Sequence, residues 1–206
     1  MTANLTPTTT PDFADVLFQA ATAYRGQGGE LPTASLLVNA LLQAEKAAKQ
    51  QRLNYAFESL VGEWRLCFAT GTRKVRKRGG IILGKGFYLP KFVAAHISFN
   101  ANLETDSGKG EIGNQVQLGS LMLKLTGPAQ YLGKKNLLAF DFTQMLLSLF
   151  GLVIYNGRIR SSKFQAEDFY NQSIAKQPFF GFFLVTEDFI AARGRSGGLA
   201  LWIRET

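Results

Sequence analysis

Apolar residues recur at helical spacing up to about residue 60 and at alternate positions from residue 63 onward. Phe13, Val16, Leu17, Ala20 and Ala21 mark a first helix, with Thr10 placed to cap it and Pro11 at its first position. The glycine-rich stretch Arg25-Gly-Gln-Gly-Gly-Glu30 ends it. A second helix begins near Pro32 and Thr33 and carries Leu37, Leu41, Ala44 and Ala48 on one stripe, with Glu45, Lys46 and Lys49 directed away. Period-two alternation then predicts strands over 63–70, 80–88, 93–104, 110–118, 120–127, 136–143, 179–187, 188–194 and 198–204, separated by turn residues such as Asp106-Ser-Gly-Lys, Gly127-Pro and Gly133-Lys-Lys-Asn. The polar insertion 156–178 has no clear period. The pattern divides the chain into a Thr/Pro-rich tail (1–10), a helical segment (11–60) and an all-β domain (61–206).

The stretch Leu60-Val-Gly-Glu-Trp-Arg-Leu-Cys-Phe-Ala-Thr-Gly71 marks the change. Alternation puts Trp64, Leu66 and Phe68 on one face of the first strand, with Glu63, Arg65 and Cys67 on the other. Phe99, Phe140 and Phe142 fall on later strands where the same alternation permits an inward direction. His96 then points outward as a surface residue, and Cys67 is an inert small residue on the outer face, where a helix can cover it. Asp188, Arg193 and Arg195 are either a ligand-recognition set or a turn held by local ion pairs.

Composition changes this picture in a few respects. Seventeen Phe suit the lining of an apolar cavity or the filling of a core. One Cys and one His leave no disulfide and no metal pattern, and no hydrolase motif is present, so a non-catalytic protein without a cofactor is expected. The net charge of +8 favours anionic partners. Five of those charges, Arg73, Lys74, Arg76, Lys77 and Arg78, cluster between two predicted strands. They are either a solvated loop or an attachment to anionic lipid, at about 1 kcal/mol per cation near the surface. Nucleic acid is not the expected partner, because no nucleic-acid-binding motif accompanies them. Near them, Phe87, Tyr88 and Phe92 flank Pro90. The apolar run Met145–Tyr155 is too short to span a bilayer. It is read as a buried strand or short core helix, or else as an apolar lip at a barrel mouth.

Gly62-Glu-Trp64 resembles the opening of lipocalin-type barrels, in which the tryptophan closes the barrel floor and an arginine of the last strand lies over it. Arg204, ending Gly197-Gly-Leu-Ala-Leu-Trp-Ile-Arg204, is the matching arginine. With the helical leader (Leu17, Ala20, Ala23, Arg25-Gly26) and the closing run Asp188–Arg204, the chain resembles the plastid lipid-associated protein (fibrillin) family of cyanobacteria and chloroplasts. It departs from that family before the first strand, where Lys49–Tyr55 replaces the usual Asn-Pro-x-Pro.

The resemblance implies an α+β protein with an antiparallel lipocalin-like β-barrel preceded by two helices. It implies binding of a quinone, carotenoid or acyl lipid, with Trp64, Phe68, Phe99, Phe140, Phe142 and Arg204 around the ligand. The place implied is the cytoplasmic side of an anionic thylakoid surface, in a cyanobacterial member of the family since the N-terminus does not read as a transit peptide. A tetrapyrrole chaperone or phycobiliprotein lyase of the same fold is the alternative, to be favoured by inward-facing Arg or Lys. A filled barrel serving as an interaction protein is the third reading.

Overall fold

A computed structural model describes residues 12–71, 86–101, 108–159 and 169–205. Helix α1 (Phe13–Arg25) starts at Asp12, whose carboxylate accepts from the Ala14 amide, and stops at Gly26 in the left-handed conformation. Helix α2 (Ala34–Gln51) is capped by the Thr33 hydroxyl, and Arg52 follows it with φ +52°. A 3₁₀ turn (Phe57–Leu60) leads into the sheet. The expected cap at Thr10 and Pro11 lies outside the described residues.

The sheet is antiparallel. Its strands are β1 (Gly62–Ala69), β2 (Phe87–Tyr88), β3 (Val93–Ala101), β4 (Lys109–Leu118), β5 (Leu121–Leu132), β6 (Leu137–Phe140), β7 (Gln144–Leu149), β8 (Leu152–Arg158), β9 (Phe179–Val185), β10 (Phe189–Gly194) and β11 (Leu199–Arg204). Eight of them close in the order β4-β3-β1-β11-β10-β9-β6-β5, with β5 pairing back to β4. The two-helix leader and antiparallel barrel therefore form as the sequence pattern predicts.

Two apolar clusters divide the molecule. One fills the barrel and includes Trp64, Ile97, Phe99, Ile112, Leu138, Phe182, Ile190 and Trp202. The other lies between the helices and the outer face of β1, β9, β10 and β11, joining Leu17, Leu37 and Leu41 to Phe183, Phe189, Leu201 and Ile203. The helices thus cover one side of the barrel. Alternation along β10 and β11 feeds both clusters, so these strands are buried on both faces.

Several expectations are corrected here. Phe68 does not share the Trp64 face: a bulge between Leu66 and Phe68 shifts the register against β11 and turns Phe68 toward the helices beside Cys67. Glu45 does not point away from the α2 stripe. It is buried, and both its oxygens accept from the Arg193 guanidinium, with Nε to Oε1 at 2.9 Å. Asp188 and Arg193 pair not locally but with the distant helices, Asp188 with Arg25 at 3.3 Å and Arg193 with Glu45. Met145–Tyr155 is neither a buried strand nor a core helix. It spans the hairpin of β7 and β8, and Phe150 and Leu152 are 78% and 74% exposed.

Strand β5 is long enough to serve two partners. Its first half pairs with β7 and its second half with β6. The change occurs at Gly127, where a Cβ would stand 2.0 Å from the Asp141 carbonyl oxygen, so only glycine lets the β6–β7 connection cross there. The result is a wing: the ends of β3, β4 and β5 run past the barrel and continue into β7 and β8.

Candidate functional site

The floor of the barrel is built around Trp64. Its indole N–H donates to the Leu60 carbonyl at 2.8 Å, and the Arg204 guanidinium carbon lies 4.0 Å from the ring centroid. Arg204 is held in place by its Nε, which donates to the Glu187 carbonyl at 2.9 Å. Gly62 (φ +122°) passes beneath, and a Cβ there would come 2.8 Å from Arg204 Nη1. Phe57, stacked on Tyr131 at 5.3 Å, completes the floor.

The phenylalanines expected around a ligand are not all brought together. Phe99 and Phe140 are inside the barrel, but their rings pack on other rings: Phe99 edge-on to Phe182 at 5.8 Å, and Phe140 stacked on Phe180 at 4.9 Å. Phe142 adjoins Phe140 at 5.3 Å and stays partly exposed, as do Leu66, Phe180 and Ala200 at the margin of the same cluster. Phe68 is outside the barrel, edge-on to Tyr88 at 5.0 Å. His96 faces outward as expected, yet it is mostly covered: Glu205 meets its Nε2 at 2.9 Å, and Glu205 also accepts from Arg65 at 2.6 Å. Burial pushes the Glu205 carboxyl up, but the hydrogen bonds from Arg65 and His96 outweigh it and hold the group below its ordinary range. The cluster Arg73, Lys74, Arg76, Lys77 and Arg78 lies outside the described residues. Among the described residues, no His, Cys, Asp and Glu group has the arrangement of a metal site.

The surface that sequence reasoning placed least well is the wing. Registers align its strands in rows whose side chains share the face of the barrel interior. The row through Phe99, Ile112 and Gly127 is still inside the barrel. Next come Ile97, Asn114, Leu125, Met145 and Gly157, then Ala95, Val116, Leu123, Leu147 and Tyr155. The outermost row is Val93, Leu118, Leu121, Leu149 and Leu152. Across these three rows the polar groups are Asn114 and the Tyr155 hydroxyl, which donates to the Arg158 carbonyl at 2.8 Å. The opposite face is mixed, carrying Gln115, Gln117, Lys124, Gln144, Ser148 and Arg158 together with Met122, Leu146 and Val153. Alternation along each strand was visible in sequence, but which strands would extend past the barrel was not.

The interior face of the wing therefore continues the barrel's apolar lining onto an open shelf. At four strand spacings it is roughly 19 Å across. The outermost row is open to solvent, with Leu118, Leu121, Leu149 and Leu152 all exposed. Leu118 is 50% and Ile154 58% exposed, and Leu123, Leu125 and Leu147 are half-buried. No helix among the described residues is long and apolar enough to cross a membrane.

No protein-family model matches the chain. No curated protein matches it in sequence. Among solved structures, a redesigned β-barrel aligns with 75% of this chain and 98% of its own at a TM-score of 0.36 and 9% identity.

Proposed function

We propose that the protein binds a neutral, extended hydrophobic molecule, such as a prenylquinone, a carotenoid or an acyl lipid, without transforming it. The observation that carries this reading is the apolar shelf of β3, β4, β5, β7 and β8, which runs from the partly exposed ring of Phe142 to Leu152. An apolar surface of this width offers a long chain continuous contact across the strands. The aromatic packing around Phe99 and Phe182 supports a ligand on the shelf rather than deep in the barrel. The Gly62-Glu-Trp64 opening and the Arg204 contact support a lipocalin-like, fibrillin-type protein, and the net charge of +8 supports work beside an anionic membrane such as the thylakoid surface. Among the described residues the buried polar and charged side chains are Glu45, Thr70, Asn136, Ser148 and Gln177, none of them Arg or Lys, so a tetrapyrrole with its propionates is not favoured in the barrel.

The test is the organic extract of natively purified protein, read by mass spectrometry. A neutral apolar compound should accompany the wild type in near-stoichiometric amount and be absent from a folded Leu123→Glu/Leu147→Glu variant. Recovery of the same compound with both proteins would sink the shelf as its site.

A second reading is favoured by β8. Among the described residues it is the outer edge of the sheet, six of its seven residues are exposed, and it carries Leu152, Val153 and Ile154 without a protecting lysine or proline of its own. A second copy adding strand to strand would cover it. A monomer at all concentrations in sedimentation experiments would remove this reading.

A further inference from the structure

A cleft of about 680 Å³ opens between the end of α2, the β5–β6 turn and the β10–β11 turn. Six cationic side chains line it: Lys49, Arg52, Lys134, Lys135, Arg193 and Arg195. One carboxylate, Glu45, is present, and it is already engaged by Arg193 and by Lys49 at 3.0 Å. Phe179 also lines it, and the buried Phe182 and Phe183 border it from the two faces of β9. We propose that this cleft binds a phosphate group, free or carried as the head of an apolar chain.

The cations come from three separate parts of the chain, so no single run of charge accounts for them. Basic residues at the end of α2 also complement the helix dipole. That explains Lys49 and Arg52. It does not explain Lys134, Lys135 and Arg195, which belong to other elements.

The arrangement is also built rather than loose. Buried Asn136 ties the walls together: its Nδ2 donates to the Leu53 carbonyl at 2.6 Å, and its Oδ1 accepts from the Tyr55 amide at 2.9 Å. This fixes the turn bearing Lys134 and Lys135 against the chain that follows Arg52. Both Arg52 (φ +52°) and Asn136 (φ +49°) adopt the left-handed conformation. Arginine where glycine is the usual helix stop is a local cost, and such costs gather at binding sites. Arg195 is aimed by its Nη1, which donates to the Gln177 carbonyl at 3.0 Å. Clustered donors of this kind suit a dianion better than a single carboxylate.

Calorimetric titration with octyl phosphate, inorganic phosphate and octyl glucoside, all below their micellar concentrations, tests the proposal. Octyl phosphate should bind saturably at one site, and Lys134→Glu/Lys135→Glu should weaken it at least tenfold. Arg52→Gly, which relieves the left-handed residue and so keeps the fold, should weaken it severalfold. Inorganic phosphate separates the two sources: binding tenfold weaker than octyl phosphate identifies an amphiphile head, and equal binding identifies free phosphate. Octyl glucoside should not compete. Absence of saturable phosphate binding, indifference to the lysine reversal, or octyl glucoside matching octyl phosphate would each overturn the proposal. Leu147→Glu on the shelf should leave these titrations unchanged, which separates this site from the apolar one.

Discussion

Arg204 places its guanidinium 4.0 Å from the centre of the Trp64 ring, and the two residues are direct partners across β1 and β11. One contact thus joins the first strand of the barrel to its last. Trp64 is fully buried, so Trp64→Ala should destabilise the protein by about 3–5 kcal/mol. Arg204→Ala should cost less, about 1–2 kcal/mol, because the cation–π contact and the bond to Glu187 are its main contributions. The double variant, followed by denaturant unfolding, should fall short of the sum by at least 0.5 kcal/mol. Strict additivity would show that the stacking adds nothing beyond each residue's separate packing.

The Glu45–Arg193 pair fastens α2 to β10 and carries a pH signature. The bonds from Arg193 outweigh the cost of burial and hold the Glu45 carboxyl below its ordinary range. A depressed carboxyl stabilises the fold above its unfolded-state value and loses that contribution as pH falls through the folded one. Glu45→Gln should therefore cost about 1–3 kcal/mol near neutrality, in keeping with charged hydrogen bonds that are partly open to solvent. The gap between wild type and variant should narrow below about pH 4.5. A gap that stays constant down to pH 3 would mean the pair contributes through packing alone.

Cys67 lies fully buried beneath the helices, and that burial pushes its thiol up to about 12. In the native protein a thiol reagent should react no faster than the molecule opens. Adding denaturant to the transition midpoint should raise the labelling rate by orders of magnitude, in step with unfolding followed by circular dichroism. Rapid labelling without denaturant would show that α1 and α2 leave the sheet on their own.

These residues also show what the chain discloses locally and what it does not. Helical spacing located Leu17, Leu37 and Leu41, and alternation located Trp64, Leu66 and Phe99, because each depends on one element burying one face. Phe68 escaped because a single bulge at Cys67 reverses parity, and neither residue announces it. Glu45 escaped because its partner is on β10, and a charge beside an apolar stripe looks like a solvated flank until that partner is known. Met145–Tyr155 was read from its apolar content. Its exposure follows from a branch at Gly127, which depends on how two other strands share β5. The convergence of Arg52, Lys134 and Arg195 has no counterpart in linear spacing.

The wing and the barrel interior make different predictions for a neutral ligand. Interior rings such as Phe99 and Phe182 already fill one another's space, so a ligand there would have to displace them. Leu123 and Leu147 on the shelf are half-buried and adjacent across β5 and β7, and they need nothing to move. A decyl-substituted benzoquinone, which quenches tryptophan fluorescence and carries no charge, reports on both places without entering the basic cleft. Quenching should be saturable and insensitive to salt, because burial of apolar surface rather than charge drives it. Leu147→Glu should weaken it more than tenfold while costing little stability, since the carboxylate at a half-open position keeps contact with water. Phe99→Leu should do the reverse, lowering stability by about 1–3 kcal/mol through the cavity it leaves and leaving quinone affinity within twofold. If Phe99→Leu tightens binding and Leu147→Glu does not weaken it, the ligand enters the barrel and the shelf is left to another partner.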